Sequence, residues 1–483
     1  LKIYKYLFIL VLMYYFDELP ILDDVGDVIV AEANINGFKN DSDSEEYYLS
    51  EKDKEDLLET IYDITKDYID NNVLSMKNYD FDTELNNYVT TVINMTYIPI
   101  SDILLNINID NIISEGIDIY FKVNNNPRQY KTTFIGKKYD KKNTKKHLDK
   151  LLNIKQPEQK TDAWYKFRHN RFTASNAWKV LDTDSNVNQI IHEKCAPLKI
   201  FGSTSSNTAF HHGHKYEPLS TLWYEEKYKT KIEEVGCISH QEHSFIGASP
   251  DGINVDYNSD RYGRLLEIKN PVSRKLSGIP KKEYWVQMQL QMEVWGIDNV
   301  DFLETVFKEY ENKKEADEDG TFNETKDGKL KGVIMQFENF IYEYCPFNYD
   351  ENEFDEWSEN KIDEYEKKSI SWMKNIYWKL DDVSCILVTR NKKWFQAALP
   401  YFRSTWKIIE KERITGYDHR KPKRRNTKPK PKNIPVYTPE IFIEDKPSFE
   451  SESESSSDTA KKTKTKTKTN KQTCVFKIDT EVA

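Results

Sequence analysis

The sequence predicts a mixed α/β protein, with an α-rich region before the α/β domain and a disordered tail behind it. Three observations carry this reading. Over residues 160–344, short apolar runs bounded by turn formers alternate with stretches whose apolar residues recur three and four apart. Before residue 150 the recurring pattern is helical. Beyond residue 416 periodicity disappears. The expected organisation is an α-rich accessory region over 1–150, an α/β domain over 151–415 and a charged tail over 416–483.

Composition narrows the function classes. The 483 residues exceed one average domain, and 10 Trp, 30 Tyr and 23 Phe are ample for a sizeable core. The formal charge is −10, so contact with nucleic acid has to come from local basic patches or a bound cation, not from the overall field. The five cysteines, Cys195, Cys237, Cys345, Cys385 and Cys474, are scattered without a Cys-x-x-Cys spacing. That disfavours zinc, an iron–sulfur cluster or a disulfide framework, and points to a reducing, intracellular compartment.

Residues 6–16 are an uncharged run behind Lys2 and Lys5. The run falls short of the ~20 residues of a membrane span. Asp17 and Glu18 follow at once, with no small-residue cleavage site close behind. It reads as a buried hydrophobic element rather than a signal peptide, and no membrane partner is expected. Leu57, Ile61, Ile64 and Tyr68 predict an amphipathic helix, and apolar runs follow over 89–98 and 103–119. The basic stretch 137–150 reads as a solvated linker or helix face.

Asp162 is a capping-type acid before an aromatic helix turn that ends in Arg168, and Ser175 stands where it would cap a second short helix. Taken singly, Arg168 would be a surface ion pair and Ser175 a cap. Together they set a guanidinium near a helix N-terminus, a pairing suited to a terminal phosphate. His211, His212 and His214 do not make a metal cluster: adjacent histidines do not converge on one face, and no acid is spaced to complete a zinc site. Glu217-Pro218 is expected to open a helix, with the proline in its first turn and Glu217 at the N-terminal end, aimed back at the sheet.

The chemistry concentrates in residues 247–252 (GASPDG) and 265–269 (LLEIK). Residues 245–248 and 265–268 read as apolar strands separated by the turn formers of 257–261. If the chain folds back about Ser259, counting sets Asp251 opposite Glu267, with Cβ atoms ~5 Å apart. Carboxylates that close repel unless a cation lies between them, and oxygen-only ligation suits Mg²⁺ or Mn²⁺. Glu267 and Lys269, two apart on a strand, leave from one face, so an ammonium is delivered beside the cation. This is the outline of a phosphodiesterase site. Its plain alternative, in a chain that is 31% charged, is a solvated hairpin.

Downstream, Trp285, Met288, Met292 and Trp295 mark a buried helix face, with Gln287 and Gln291 one turn apart on the neighbouring face. Residues 301–307 read as a core strand, 308–330 as a polar loop and 333–344 as a strand; 352–379 and 394–413 read as helices. In the tail, 420–432 (RKPKRRNTKPKPK) holds basic residues and no acids, which fits non-specific nucleic-acid contact, a nuclear address or plain solubility.

In order, D-A-W-x-K-x-R followed by T-A-S (residues 162–175), Glu217, S-P-D-G, L-E-I-K and Y-x-x-Q-x-Q (residues 284–289) resemble the phage lambda exonuclease and YqaJ-like viral recombinase family over about residues 160–305. That family belongs to the restriction-endonuclease-like PD-(D/E)xK superfamily, so the resemblance implies a restriction-endonuclease-like core, a central mixed sheet flanked by helices. It also implies a Mg²⁺-dependent exonuclease that digests one strand of linear duplex DNA from the 5′ end, in viral DNA recombination, repair or processing. An endonuclease of the same fold, or an inactive DNA-binding scaffold, is the alternative. By the resemblance, Asp251, Glu267 and the Ile268 carbonyl are metal ligands, and Glu217 completes the metal shell. Lys269 orients or activates the attacking water, and Gln287 is the glutamine of the active-site helix. Arg168, Ser175 and Ser249 contact phosphate. Expected partners are duplex DNA with free ends, a single-strand annealing protein and further copies of the chain. Pro218 directly behind Glu217 and the long termini depart from the family pattern.

Overall fold

The computed structural model describes residues 50–96, 109–124, 126–131, 140–159, 161–198 and 209–421. The run 6–16 and the tail from 422 lie outside them. Three helices come first: α1 (Glu51–Asn71), α2 (Phe81–Thr96) and α3 (Ile109–Val123). The Ser50 hydroxyl caps α1 by accepting the Asp53 N–H, and the helix buries Leu57, Ile61, Ile64 and Ile69. Gly116 lets α3 lie close on α1, since a Cβ there would meet Ile61 at 2.5 Å. Strand β1 (Tyr130–Lys131) and α4 (Lys141–Leu152) lead into the site-bearing region.

That region runs α5 (Asp162–His169), β2 (Phe172–Thr173), α6 (Ala174–Ala177), α7 (Asp184–Cys195) and α8 (Ala209–Tyr228). Four short strands follow: β3 (Ile232–Glu233), β4 (Ile238–Ser239), β5 (Ile246–Ala248) and β6 (Gly252–Asn254). Then come β7 (Leu265–Lys269), α9 (Lys282–Trp295), β8 (Asn299–Glu309), α10 (Lys313–Glu318), β9 (Lys331–Phe337) and β10 (Ile341–Tyr344). The last elements are α11 (Glu351–Glu366), β11 (Trp372–Thr389) and α12 (Lys392–Thr415).

The main sheet has the order β10-β9-β11-β8-β7-β6-β3, with β1 added to β11. Only β7 and β8 are parallel in it, joined by the α9 crossover, so the sheet is mixed and flanked by helices as expected. Both faces of β7 and β8 are covered. Leu266, Ile268 and Leu303 pack with Tyr224 of α8, while Leu265, Val300 and Phe302 join Trp285 of α9 on the other side. A second sheet, β2-β5-β4, stands apart.

Several local expectations change. Residues 246–248 form β5 of the second sheet, so the partner of β7 is β6, which starts after Asp251. The register is Gly252↔Leu266 and Ile253↔Leu265; one step further sets Asp251 opposite Glu267, and the fold-back about Ser259 holds. The stretch 352–379 is not one helix. Helix α11 stops at Glu366, Ser369 turns at φ 58°, and β11 begins at Trp372, where pairing with β8 and β9 outweighs helical propensity. The strand 333–344 is divided in two by a turn in which Asn339 and Phe340 both have φ 59°.

One apolar core runs from Ile61, Phe81 and Ile113 of the accessory helices through Trp285, Met288 and Met292 of α9 to Trp394 and Phe402 of α12. The Trp285 and Trp394 rings meet edge to face at 5.1 Å, and both are buried. Among the described residues no helix is long and apolar enough to cross a membrane.

Candidate active site

Helix α9 is buried on nearly every side, so its glutamines must find partners inside the protein. Gln287 Nε2 donates to Glu267 Oε1 at 2.7 Å, and Gln291 Nε2 donates to Glu267 Oε2 at 2.6 Å. Gln289, on the other side, bonds the Thr389 carbonyl and the Asn391 N–H, joining the end of β11 to the start of α12. The Lys269 ammonium pairs with Glu267 Oε1 and lies 5.2 Å from the Tyr284 ring. The Ile268 N–H donates to Asp251 Oδ2 at 2.6 Å. Strand alternation sends the Ile268 carbonyl off the same edge as its N–H, toward Asp251. The structure thus brings Asp251, Glu267, Ile268, Lys269 and Gln287 together.

Charge at this corner is out of balance. Glu267 is fully buried. Burial, then Glu267 and Glu217, push the Asp251 carboxyl well above the usual carboxylate range, against the pull of Lys269. Burial works against the Lys269 ammonium, but Glu267 and Asp251 hold it above the usual lysine range. Two carboxylates close on one ammonium, and Glu217 adds its charge at Asp251. Hard oxygen donors with a surplus of negative charge fit a divalent cation such as Mg²⁺ or Mn²⁺. Among the described residues, however, no three His, Cys, Asp or Glu side chains gather as a ready-made metal group.

Glu217 is not at a helix start: Pro218 lies inside α8, which packs on the opposite face of β7 from α9. Glu217 acts on the Asp251 carboxyl through its charge. The helix runs through the proline because both flanks are anchored. Tyr216 stacks on Phe307 at 4.8 Å, and Ser220 bonds Thr305 at 2.8 Å. Asn270 donates to Ser220 and Thr305, both at 2.7 Å, tying the end of β7 to α8.

A second corner surrounds β5. Thr161, not Asp162, caps α5, accepting the Trp164 N–H at 3.3 Å. The Arg168 guanidinium lies 4.5 Å over the Trp164 ring, and its carbonyl accepts Lys194 Nζ at 2.9 Å. Burial, then Arg168, pull the Lys194 ammonium down to about 7. Thr173 rather than Ser175 is the cap of α6, its N–H bonded to Asn176 Oδ1 at 3.1 Å; Ser175 is exposed, with Oγ 3.3 Å from Thr173 Oγ1. Thr173 is the register partner of Gly247, which places Ser249 two residues on, with its Oγ on the Val235 carbonyl at 3.2 Å. Arg168, Ser175 and Ser249 thus border one short sheet, each engaged with its own neighbour. Gln291 links the two corners, since its Nε2 also reaches the Ser249 carbonyl at 3.3 Å.

Gln291 and Lys194 are the residues that sequence reasoning left without a role. The i, i+4 spacing of Gln287 and Gln291 was the available signal for the first. Nothing in the sequence marks Lys194, because its burial comes from α12, which is remote in sequence.

Residues 163–298 match the YqaJ-like viral recombinase domain, so the resemblance seen in the motifs holds over that segment. An uncharacterized protein of Acanthamoeba polyphaga mimivirus is 30% identical over 310 residues, 56% of this chain and 55% of that protein. The chain thus spans about half the length of this curated relative. Among solved structures, an alkaline exonuclease from Laribacter hongkongensis aligns at 18% identity and TM-score 0.31, covering 52% of this chain and 94% of that one. A phage-related exonuclease from Haemophilus somnus aligns at 13% identity and TM-score 0.28, covering 51% and 96%.

Proposed function

We propose that this protein is a metal-dependent DNA exonuclease that hydrolyses linear duplex DNA from the 5′ end, in viral DNA recombination or repair. The observation that carries the reading is the buried surplus of negative charge where Asp251 stands opposite Glu267 with Lys269 beside them. The match of residues 163–298 to a viral recombinase domain supports it.

Asp251, Glu267 and the Ile268 carbonyl would hold Mg²⁺ or Mn²⁺, with Glu217 drawn toward the cation from α8. Bound there, the ion supplies positive charge beside the scissile phosphate and eases loss of a proton from water. The chain's own groups do the rest. Gln287 and Gln291 take one donor bond each to Glu267 and so fix its carboxylate plane. Lys269, kept charged by its neighbours, offers N–H donors to a phosphate oxygen or to the entering water. Water's oxygen joins phosphorus, its proton passing to solvent, while the P–O bond to the neighbouring sugar breaks and the departing oxygen takes up a proton from solvent. Arg168, with Lys194 bonded to its carbonyl, would take a terminal phosphate, and Ser175 and Ser249 would add hydroxyl contacts, which would give the preference for ends.

End-labelled linear duplex and closed circular DNA, each with Mg²⁺ or with EDTA, test the reading. Linear DNA should be degraded progressively from its 5′-phosphorylated ends, only with metal. Efficient cutting of closed circles would make the protein an endonuclease of this fold instead.

A further inference from the structure

Beside the carboxylate corner, the loop between β7 and α9 faces residues 78–84 of the accessory region across an open groove of about 610 Å³. The two walls differ in chemistry. The loop presents Lys275 and Lys281, both exposed and in no ion pair among the described residues. The facing wall presents Tyr79, 49% exposed, with Asn78, Asp80 and Glu84. Arg274 and Lys282 also line the groove, but Glu304 and Asp182 neutralise them. Glu283 is the one carboxylate on the lysine wall.

The walls are locked together rather than merely adjacent. The fully buried Arg128 donates through Nη2 to the carbonyls of Lys77 and Pro280, next in sequence to Asn78 and Lys281. Its carbonyl also accepts the Trp285 indole N–H at 2.9 Å, at the root of α9. The groove leads to the site: Tyr284 touches Lys269, and the Arg274 partner Glu304 is the register neighbour of Lys269.

We propose that this groove holds a single-stranded stretch of DNA entering or leaving the carboxylate corner. Its phosphates lie against Lys275 and Lys281, and a base stacks on Tyr79 with its exocyclic N–H groups toward Asp80 and Glu84. Lysines that can follow the backbone, across from an aromatic ring on which a base can stack, suit a single strand. A duplex, with its bases turned inward, cannot use the second wall. The direction of travel rests on the nuclease reading, whereas the binding does not.

Anisotropy of a short, mixed-sequence, end-labelled single strand, with full-length protein in EDTA, tests this without cleavage. The double variant Lys275→Gln/Lys281→Gln should bind about tenfold more weakly, with the salt slope reduced by ~1.4 for two phosphates. Tyr79→Ala should lose about fivefold or more, and Tyr79→Phe should stay within twofold of wild type. Blunt duplex binding should move less than twofold in all three. Single-strand affinities within twofold of wild type in both the lysine and alanine variants, at unchanged melting temperature, would overturn the proposal. So would an equal loss on duplex. A protein that cleaves nothing yet shows these binding losses keeps the groove and drops the nuclease reading; active protein without the losses drops the groove alone.

Discussion

At the β6–β7 corner, carboxylates crowd one ammonium and Asp251 is driven toward its neutral form; at the α5–α7 corner, cations crowd and the Lys194 ammonium is pulled down to about 7. Each corner holds an excess of its own sign in a buried setting, which neutral water would not choose and a ligand of the opposite sign would relieve. The first is short of a cation, the second of an anion. On the proposed reading a metal ion and a phosphate would supply what each lacks, and Gln291 ties the corners together through Glu267 and the Ser249 carbonyl.

The largest effect should come from breaking the first corner. Asp251→Asn or Glu267→Gln should cut nuclease turnover by orders of magnitude, ~10³-fold or ~4 kcal/mol of barrier. Asp251→Asn should also raise the metal-free melting temperature. The raised Asp251 carboxyl favours the folded state at acid pH, and this contribution is lost as pH climbs through its native value. A mutant that melts lower at pH 8 without metal would contradict the charge-surplus account.

Next in size is the second corner. Arg168→Ala should remove the advantage of a 5′-phosphate over a 5′-hydroxyl end, roughly 10–100-fold for charge-assisted bonds. Because Lys194 loses its proton near 7, that advantage should shrink as pH rises from 6 to 8 in the wild type. In Lys194→Met it should be smaller and flat with pH. A flat wild-type profile would detach Lys194 from phosphate recognition.

The link between the corners gives a smaller, sharper contrast. Gln291→Met should slow turnover about tenfold through a misplaced Glu267, and it also strands the buried Glu267 Oε2 at some cost in stability. Gln289→Met, two residues away, should lower stability by ~1–3 kcal/mol while leaving turnover nearly intact, because it strands the buried Asn391 N–H and Thr389 carbonyl, away from Glu267. Equal effects of the two on rate would mean that α9 acts only as packing.

The smallest signal is thermal. Mg²⁺ should raise the melting temperature by a few degrees at pH 8 and by less at pH 6, since binding must expel the Asp251 proton. The shift should vanish in Asp251→Asn. Calorimetry at the two pH values measures both.

What could be read from the sequence was local. Turn formers centred on Ser259 and the period-two spacing of Glu267 and Lys269 set the register that places Asp251, and the Trp and Met spacing located α9 and Gln287. What failed involved partners distant in the chain. The pairing of β7 with β6 instead of β5 depends on a second sheet that only tertiary packing creates. Pro218 reads as a helix starter by a local rule, which the anchoring of Tyr216 and Ser220 on β8 overrides. Strand β11 carries enough charge to look helical until β8 and β9 are placed beside it.

The pairing of β8 with β11 and of β1 with β11 also sets the order of assembly during synthesis. Asp251, Glu267 and Lys269 leave the ribosome well before β11 and α12, and Trp285 of α9 lacks its edge-to-face partner until Trp394 arrives. A fragment cut to residues 163–298 would end before β8 and expose β7 as a bare, apolar edge, open to pairing with other chains. The segment that holds Asp251, Glu267 and Lys269 therefore completes its sheet only through strands that follow it in the chain, and until β8 pairs with β7 that edge stays open to other nascent chains.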